Sequence, residues 1–316
     1  MGRYVVGRLI QAGILLILVT IITFGLIHAA PGGPSAVMTD TKLPAAEIER
    51  MRANLGLDQP IPVQYAKWVA QLLHGDFGIS YTDDRPVLES IGQRLPNTLI
   101  LAGTAFVLSL LIAVPLGVYS AARAYTTLDN VVSAACFVGL ALPVFWFGIV
   151  LIIVFSVALH LLPSAGMYTV NQPPSVFDLL KHLLMPAAVL ATPNVALFTR
   201  FVRASVLEAL HQDYVRTARA KGLAARAVMY RHVLRNALMP IVTIIGLTLP
   251  VVVAGASITE SVFGWPGMGR LAIDAAFTRD YPVVMGITVL VATAVIIINL
   301  CTDLLYVAID PRVRLQ

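Results

Sequence analysis

The chain has 316 residues, of which 58% are hydrophobic and only 12% are charged. A soluble domain has about 25% charged residues, because a water-facing surface needs them for solubility. The composition therefore argues against a soluble enzyme and indicates an all-α polytopic membrane protein. The two cysteines, Cys136 and Cys301, both lie in apolar segments and provide neither metal-ligand spacing nor a disulfide framework.

Six windows without Asp, Glu, Lys or Arg are each able to hold the roughly 20 residues of a membrane-spanning helix. We predict transmembrane helices near residues 9–29, 97–120, 131–159, 183–203, 237–258 and 283–308. The window between Asp129 and Asp178 has room for two helices, but the Pro- and Gly-containing stretch 163–174 is typical of a loop. The first helix is too long for an ordinary signal sequence, and we expect it to be retained.

The distribution of charge predicts the orientation of these helices. Eight of the 22 basic residues lie between Arg200 and Arg235, where there are only two acids. With six spans, the segments on the side of this basic loop sum to +8 when Arg200 and Arg203 are counted with the loop and Asp303 with the C-terminus, and those on the other side sum to −3. Basic loops stay in the cytoplasm, so both termini are predicted to be cytoplasmic. The net charge of +5 then reflects membrane topology and gives no reason to expect a nucleic-acid partner.

Residues 31–96 form a long extracytoplasmic loop, which we predict to be a cap with two helices, at 44–56 and 62–75. Tyr65 and Trp68 are expected on the apolar face of the second helix. A long loop without function is uncommon in compact domains. The predicted organisation is an N-terminal segment with the first transmembrane helix (1–30), the cap loop (31–96) and a transmembrane core (97–316).

The basic inner loop contains a short predicted helix at 213–222. Asp213 can cap its first turn, Arg219 and Lys221 complement the negative end of its dipole, and Gly222 can adopt the left-handed conformation that terminates it. A helix of about two turns is unstable alone in water, so another surface must hold it. The residues leave two interpretations open, namely an anchor on lipid head groups and a docking element for a soluble partner.

The segment 213–223, DYVRTARAKGL, followed by RHVLRNALMPIVT, resembles the cytoplasmic Glu-Ala-Ala motif of ATP-binding-cassette (ABC) importer permeases. Gly222 matches the glycine of that motif. Thr217–Arg219 stands at the Glu-Ala-Ala position, with only the central alanine retained. Leu238–Pro240 replaces the usual Leu-Pro ending, and this departure is characteristic of the dipeptide, oligopeptide and nickel permease group.

The resemblance extends over nearly the whole chain. Matching segments are Ala30–Pro34, Leu55–Pro60, Gly75–Gly78, Phe263–Gly269, Arg279–Val284, Asp303–Tyr306 and Asp310–Arg312. The long first outer loop is similar to that of the "B" type permease in the group. Gly33 departs from the pattern, because relatives have an Asp within a Pro-Gly-Asp-Pro sequence there.

The resemblance implies a permease of the bacterial or archaeal cytoplasmic membrane that forms half of a translocation pore. The implied partners are a homologous "C" type permease, two ATPase subunits or one ATPase heterodimer, an extracytoplasmic binding protein and membrane lipid. The sequence has no Gly-x-x-x-x-Gly-Lys-Ser/Thr loop. The chain is thus expected to be no enzyme itself and to bind no cofactor, with ATP and Mg on the ATPase partners.

The resemblance also implies two groups of functional residues. The group expected to couple the chain to an ATPase is Asp213, Tyr214, Val215, Arg216, Thr217, Ala218, Arg219, Ala220, Lys221 and Gly222. Its apolar members are expected to contact the ATPase, and its basic members to pair with the ATPase or with lipid. The group expected at an outer gate or binding-protein contact is Glu260, Phe263, Trp265 and Pro266. A purely structural re-entrant turn is the alternative interpretation of this second group.

Peptides are the expected substrate, and nickel, glutathione, haem or another small solute are the alternatives within the same machinery. A self-sufficient secondary transporter is a more distant alternative, but neither paired membrane carboxylates nor an inverted repeat is evident. An intramembrane hydrolase is disfavoured, since the sequence has no His-Glu-x-x-His helix and His28, His160 and His182 lie near the ends of predicted spans.

Overall fold

The computed structural model of the protein describes residues 2–30, 59–238, 244, 248 and 256–309, with side chains described from residue 6 to residue 302 within those ranges. The described residues are helical or in connecting segments, and their one β-bridge is isolated, between Ile79 and Pro86. They divide into two compact units, one formed by 1–96 with 271–316 and the other by 97–270.

Among the residues that the structure describes, four helices are long and apolar enough to cross a membrane. They are α1 (Gly2–Ala29), α3 (Val87–Ala122), α6 (Val176–Leu210) and α12 (Tyr281–Ile309). They coincide with the predicted spans 9–29, 97–120, 183–203 and 283–308. The predicted span 237–258 lies almost entirely outside the described residues. Pro186 and Pro193 do not interrupt α6, which is continuous through both.

The predicted single helix at 131–159 is wrong, because the chain bends by 101° within it. Helix α4 (Thr127–Ala141) ends at the residue pair Leu142–Pro143, and α5 (Val144–Leu151) continues as a π-helical stretch, Ile152–Ala158. Proline disfavours helical backbone in the residue before it, and Leu142 is indeed extended, with ψ 124°. The result is a broken span or a re-entrant loop.

In the first unit, α1 packs against α12, and α2 (Ile61–Leu73) packs on the end of α1. The Thr20 and Tyr65 hydroxyls are 2.9 Å apart, and the Phe24 ring centroid lies 5.7 Å from that of Trp68. Helix α2 corresponds to the predicted helix at 62–75. The other predicted cap helix, at 44–56, lies outside the described residues.

The loop after α2 is fixed to the residue that precedes α12. Ser80 Oγ donates a 2.5 Å hydrogen bond to Asp280 Oδ2, and the Thr82 backbone N–H donates to the same oxygen at 3.2 Å. Burial, and then the negative charge of Asp280, raise the pKa of the neighbouring Tyr81 phenol. The loop is therefore held by polar contacts as well as by packing.

The remaining helices belong mainly to the second unit. They are α7 (Asp213–Ala220), α8 (Ala225–Ala227), a π-helical stretch (Val228–Val233), α9 (Leu234–Ala237), α10 (Ser257–Val262) and α11 (Met268–Thr278). Helix α6 is the centre of this unit, because α3, α4 and α5 all pack against it.

Helices α3 and α6 pack closely against each other at Gly117. A Cβ atom built there would lie 2.6 Å from Val202 Cβ and 2.8 Å from the Thr199 carbonyl oxygen. Gly117→Ala is therefore expected to lower the free energy of unfolding of the purified protein by about 1–3 kcal/mol, because the two helices must separate. Thermal unfolding in detergent would measure this loss.

Gly103→Ala is the matched control, since it lies in the same helix and its Cβ would meet no atom within 4 Å. This substitution should be neutral or stabilising by up to about 1 kcal/mol, because alanine favours helix over glycine. Equal stability of the two variants would contradict the predicted close packing at Gly117.

Candidate functional site

The first predicted site is the short helix α7, with the residues that terminate it. Gly222 follows the helix with φ +75°, and its N–H donates to the Arg219 carbonyl at 2.9 Å. The predicted left-handed termination is confirmed. The predicted cap is wrong, because Gln212 occupies the N-cap without a side-chain bond and Asp213 is already helical. Asp213 instead lies 3.7 Å from the Arg216 guanidinium, in an exposed pair of little energetic weight.

The apolar face of α7 is buried against its own chain. Val215 is fully buried and Ala218 is 5% exposed. The buried residues that share their cluster are Ala121, Val202, Val206, Ala209, Val228, Val233 and Ala237. The prediction that Val215 and Ala218 contact an ATPase is therefore wrong, since a helix too short to be stable alone uses this face to attach to its own fold.

The other predicted residues of this site are all solvent-exposed in the chain. They are Asp213, Tyr214, Arg216, Thr217, Arg219, Ala220, Lys221 and Gly222. Three of these eight residues are basic and one is acidic. The exposed face of α7 is therefore positively charged. Such a surface complements an acidic cleft or anionic head groups.

An ion pair between the partly exposed Arg203 and the buried Asp129 lies beside this cluster. Arg203 Nε and Nη2 each donate a 2.6 Å hydrogen bond to Asp129, one to each carboxylate oxygen. Ser120 Oγ donates to Asp129 Oδ1, and the Tyr125 N–H donates to Oδ2 at 2.8 Å. The pair joins α3, α4 and α6. Sequence reasoning missed it, and the only signal was one acid among the few charges of the segment 121–130.

The second predicted site is a hairpin formed by α10, the turn 263–267 and the start of α11. Glu260 is fully buried and accepts hydrogen bonds from Thr98 Oγ1 at 2.7 Å and from the Arg270 N–H at 2.9 Å. A Cβ atom at Gly267 would overlap the Glu260 carboxylate. Glycine is therefore required where the turn passes over this carboxylate.

The turn is fixed to the chain at both of its predicted aromatic positions. Trp265 is fully buried and its Nε1 donates to the Asn97 carbonyl at 2.9 Å. Phe263 is 2% exposed, whereas Pro266 is half-buried. The predicted contact of Glu260, Phe263 and Trp265 with a binding protein is wrong for this conformation, because all three are enclosed. The geometry favours a structural turn over a binding-protein contact.

The π-helical stretch after α5, the loop before α6 and the start of α6 line an open polar cavity of about 440 Å³. Its polar lining includes Ser156, His160, Thr169, Gln172, Asp178 and Lys181. Asp178 is already engaged, accepting from the Thr169 N–H and hydroxyl at 2.7 and 2.8 Å. No cluster of three His, Cys, Asp or Glu suited to a metal ion occurs in the part of the chain that the structure describes.

Two family descriptions together match almost the whole sequence. Residues 113–315 match the binding-protein-dependent transport system inner membrane component, and residues 1–102 match the N-terminal part of such membrane components. The sequence is 44% identical over 315 residues to the oligopeptide transport system permease protein AppB of Bacillus subtilis (strain 168), covering 99% of this chain and 100% of that protein. It is 38% identical to the dipeptide transport system permease protein DppB of Escherichia coli (strain K12), covering 94% of each.

Solved structures show the same fold at low sequence identity. The inward-facing MetNI methionine ABC transporter aligns with a TM-score of 0.57 at 17% identity, over 71% of this chain and 97% of that chain. An amino acid ABC transporter with histidines aligns at 0.50 and 19% identity, over 71% and 94% respectively. The family match and the full-length relatives confirm the resemblance drawn from the sequence motifs. The chain belongs to the family of binding-protein-dependent transport system inner membrane components.

Proposed function

We propose that this protein is one of two permease subunits in an ATP-driven importer of di- or oligopeptides. The observation that carries the proposal is the match over 99% of the chain to an oligopeptide permease at 44% identity. A relationship of this extent includes the pore, the outer loop and the coupling region together. The bacterial origin of the relatives supports a place in a bacterial cytoplasmic membrane.

The proposed topology has six spans and cytoplasmic termini. Four long helices and the bent pair α4–α5 supply five crossings if the bent pair counts as one. The charge-free segment 237–258 supplies the sixth by its composition. The +8 and −3 sums on the two sides support this orientation by the positive-inside rule.

The proposed partners follow from the exposed surfaces of the chain. The basic outer face of α7 would dock in an acidic cleft of an ATPase subunit, which binds ATP and Mg. Exposed apolar side chains on α4 and α5, among them Phe137, Val138, Phe145 and Trp146, would contact lipid or the second permease. An extracytoplasmic binding protein would deliver the substrate.

Reconstitution tests this proposal and its alternatives. The chain is purified with the permease, ATPase and binding protein encoded beside it, and uptake of a labelled dipeptide into proteoliposomes is measured. ATP-dependent uptake is expected only when every component is present. If nickel, glutathione or haem were taken up and peptides were not, that solute would replace peptides as the assigned substrate. Uptake by this chain alone under an ion gradient would indicate a secondary transporter.

Gly222 provides a test of the coupling role of α7. Gly222→Val is expected to lower substrate uptake per ATP hydrolysed at least about 5-fold, because valine is strained at φ +75° and would reorient the end of the helix. Insertion into the membrane should be unaffected, since no neighbouring atom lies within 4 Å of the added Cβ.

The matched control for this variant is Gly75→Val. Gly75 has φ +81° and equally open surroundings, but it follows α2 in the first compact unit, whereas α7 belongs to the second. It carries the same backbone strain without touching α7. A wild-type ratio of substrate uptake to ATP hydrolysis in the Gly222→Val variant would contradict the proposed coupling role.

The hairpin of Glu260 is the candidate for an outer gate. The hydrogen bonds of its carboxylate with Thr98 and Arg270, here called the clasp, give a separate prediction. Glu260→Ala leaves the Thr98 hydroxyl and the Arg270 N–H buried without their acceptor, which should cost about 3 kcal/mol of unfolding free energy. Thermal unfolding of the purified complex measures the loss. Ser261→Ala is the control, because its exposed hydroxyl bonds only the Ser257 carbonyl, and an unchanged midpoint for the Glu260 variant would refute the clasp.

A further inference from the structure

We infer that Asp129 and Arg203 form a rigid pin that carries movement of α7 into the membrane helices α4 and α6. The two residues act by positioning these helices and have no contact with substrate in this scheme. The inference rests on the proposed docking of α7 on an ATPase. It adds residues outside α7 that determine whether this docking drives transport.

The pin is rigid because the Asp129 carboxylate is fully engaged. Its two oxygens accept four hydrogen bonds, from Arg203 twice, from Ser120 and from the Tyr125 backbone. The carboxylate is 2% exposed, and the Arg203 fork fixes both the distance and the angle between α4 and α6. The pair Asp213–Arg216 on α7 has neither burial nor a second bond, and cannot act in this way.

The pin is continuous with the cluster that holds α7. Arg203 is followed on α6 by Val206 and Ala209, which belong to the same buried cluster as Val215 of α7 and Val228 and Val233 of the π-helical stretch. About 10 Å of unbroken helix separates Arg203 from Leu210, at 1.5 Å per residue. On the other side, Ser120 of the pin adjoins Ala121, which belongs to the same cluster. A force applied to α7 therefore reaches the pin through packed side chains and one stiff helix.

The helix beyond the pin leads to the hairpin of Glu260. Helix α4 runs from Asp129 to the bend at Leu142–Pro143, and α5 after the bend packs against α10. Val144 and Phe147 of α5 contact the cluster that contains Phe263. The pin thus lies on a contiguous path from the docking surface of α7 to the candidate gate, so loosening it should separate ATP hydrolysis from transport.

Arg203→Lys is the test variant, because lysine keeps the charge but cannot form the two-pronged bond. In the reconstituted complex, we expect uptake per ATP hydrolysed to fall about 3-fold or more, with complex yield and ATPase rate unchanged. Asp280→Asn is the matched control, since it weakens a buried carboxylate that also accepts two hydrogen bonds but belongs to the first compact unit, whereas the path lies in the second. That control should keep the wild-type ratio.

A distance measurement tests rigidity without relying on transport. Spin labels at Tyr214→Cys and Val138→Cys, both exposed positions, are placed in a background lacking Cys136 and Cys301. We expect the distribution of the distance between the two labels to be narrow when Arg203 is present and broader in the Arg203→Lys variant.

Three results would overturn the pin. They are an unchanged transport ratio in Arg203→Lys, a fall in transport that only follows a fall in complex yield, and an equally narrow distance distribution. Failure of the proposed function is distinguishable, because it would appear as a wild-type complex without ATP-dependent peptide uptake.

Discussion

In a chain with so few charges, each carboxylate that leaves water must be given partners, and this constraint organises the fold. Asp129, Glu260 and Asp280 are each no more than 2% exposed. An unpaired charge in a buried site is very costly, so each of them fixes the segments that supply its donors. Asp129 joins α3, α4 and α6, Glu260 fixes the hairpin to the start of the permease core, and Asp280 fixes the loop after α2.

The long helices could be predicted from the sequence because a membrane span depends mainly on local composition. The same reasoning failed at Leu142–Pro143, where a charge-free window was taken as one helix. The local preference of a residue before proline contained the necessary information, but proline is also tolerated within spans, as Pro186 and Pro193 in α6 illustrate. Composition alone does not distinguish these cases, because the outcome depends on what packs around the freed backbone groups.

The candidate site was predictable only in part, for a different physical reason. Gly222 indicated where α7 ends, since termination is a local property of the backbone. Val215 and Ala218, on the buried face of α7, were predicted to contact a partner. The sequence of an apolar face does not reveal whether that face packs against another protein or against its own chain. Asp129 and Arg203 are 74 positions apart, and nothing local selects this arginine from the other basic residues of the region.

The two faces of α7 have separable requirements, and this has a consequence for subunit compatibility. Its inner face is constrained by the cluster with Val206 and Val228, whereas its exposed face makes no contribution to that cluster. On the proposed docking of α7, substitutions on its exposed face could follow changes in the partner ATPase without disturbing this cluster. Exchanging the exposed residues of α7 between related transporters should allow one permease to be paired with the ATPase of another transporter, while its transmembrane helices stay unchanged.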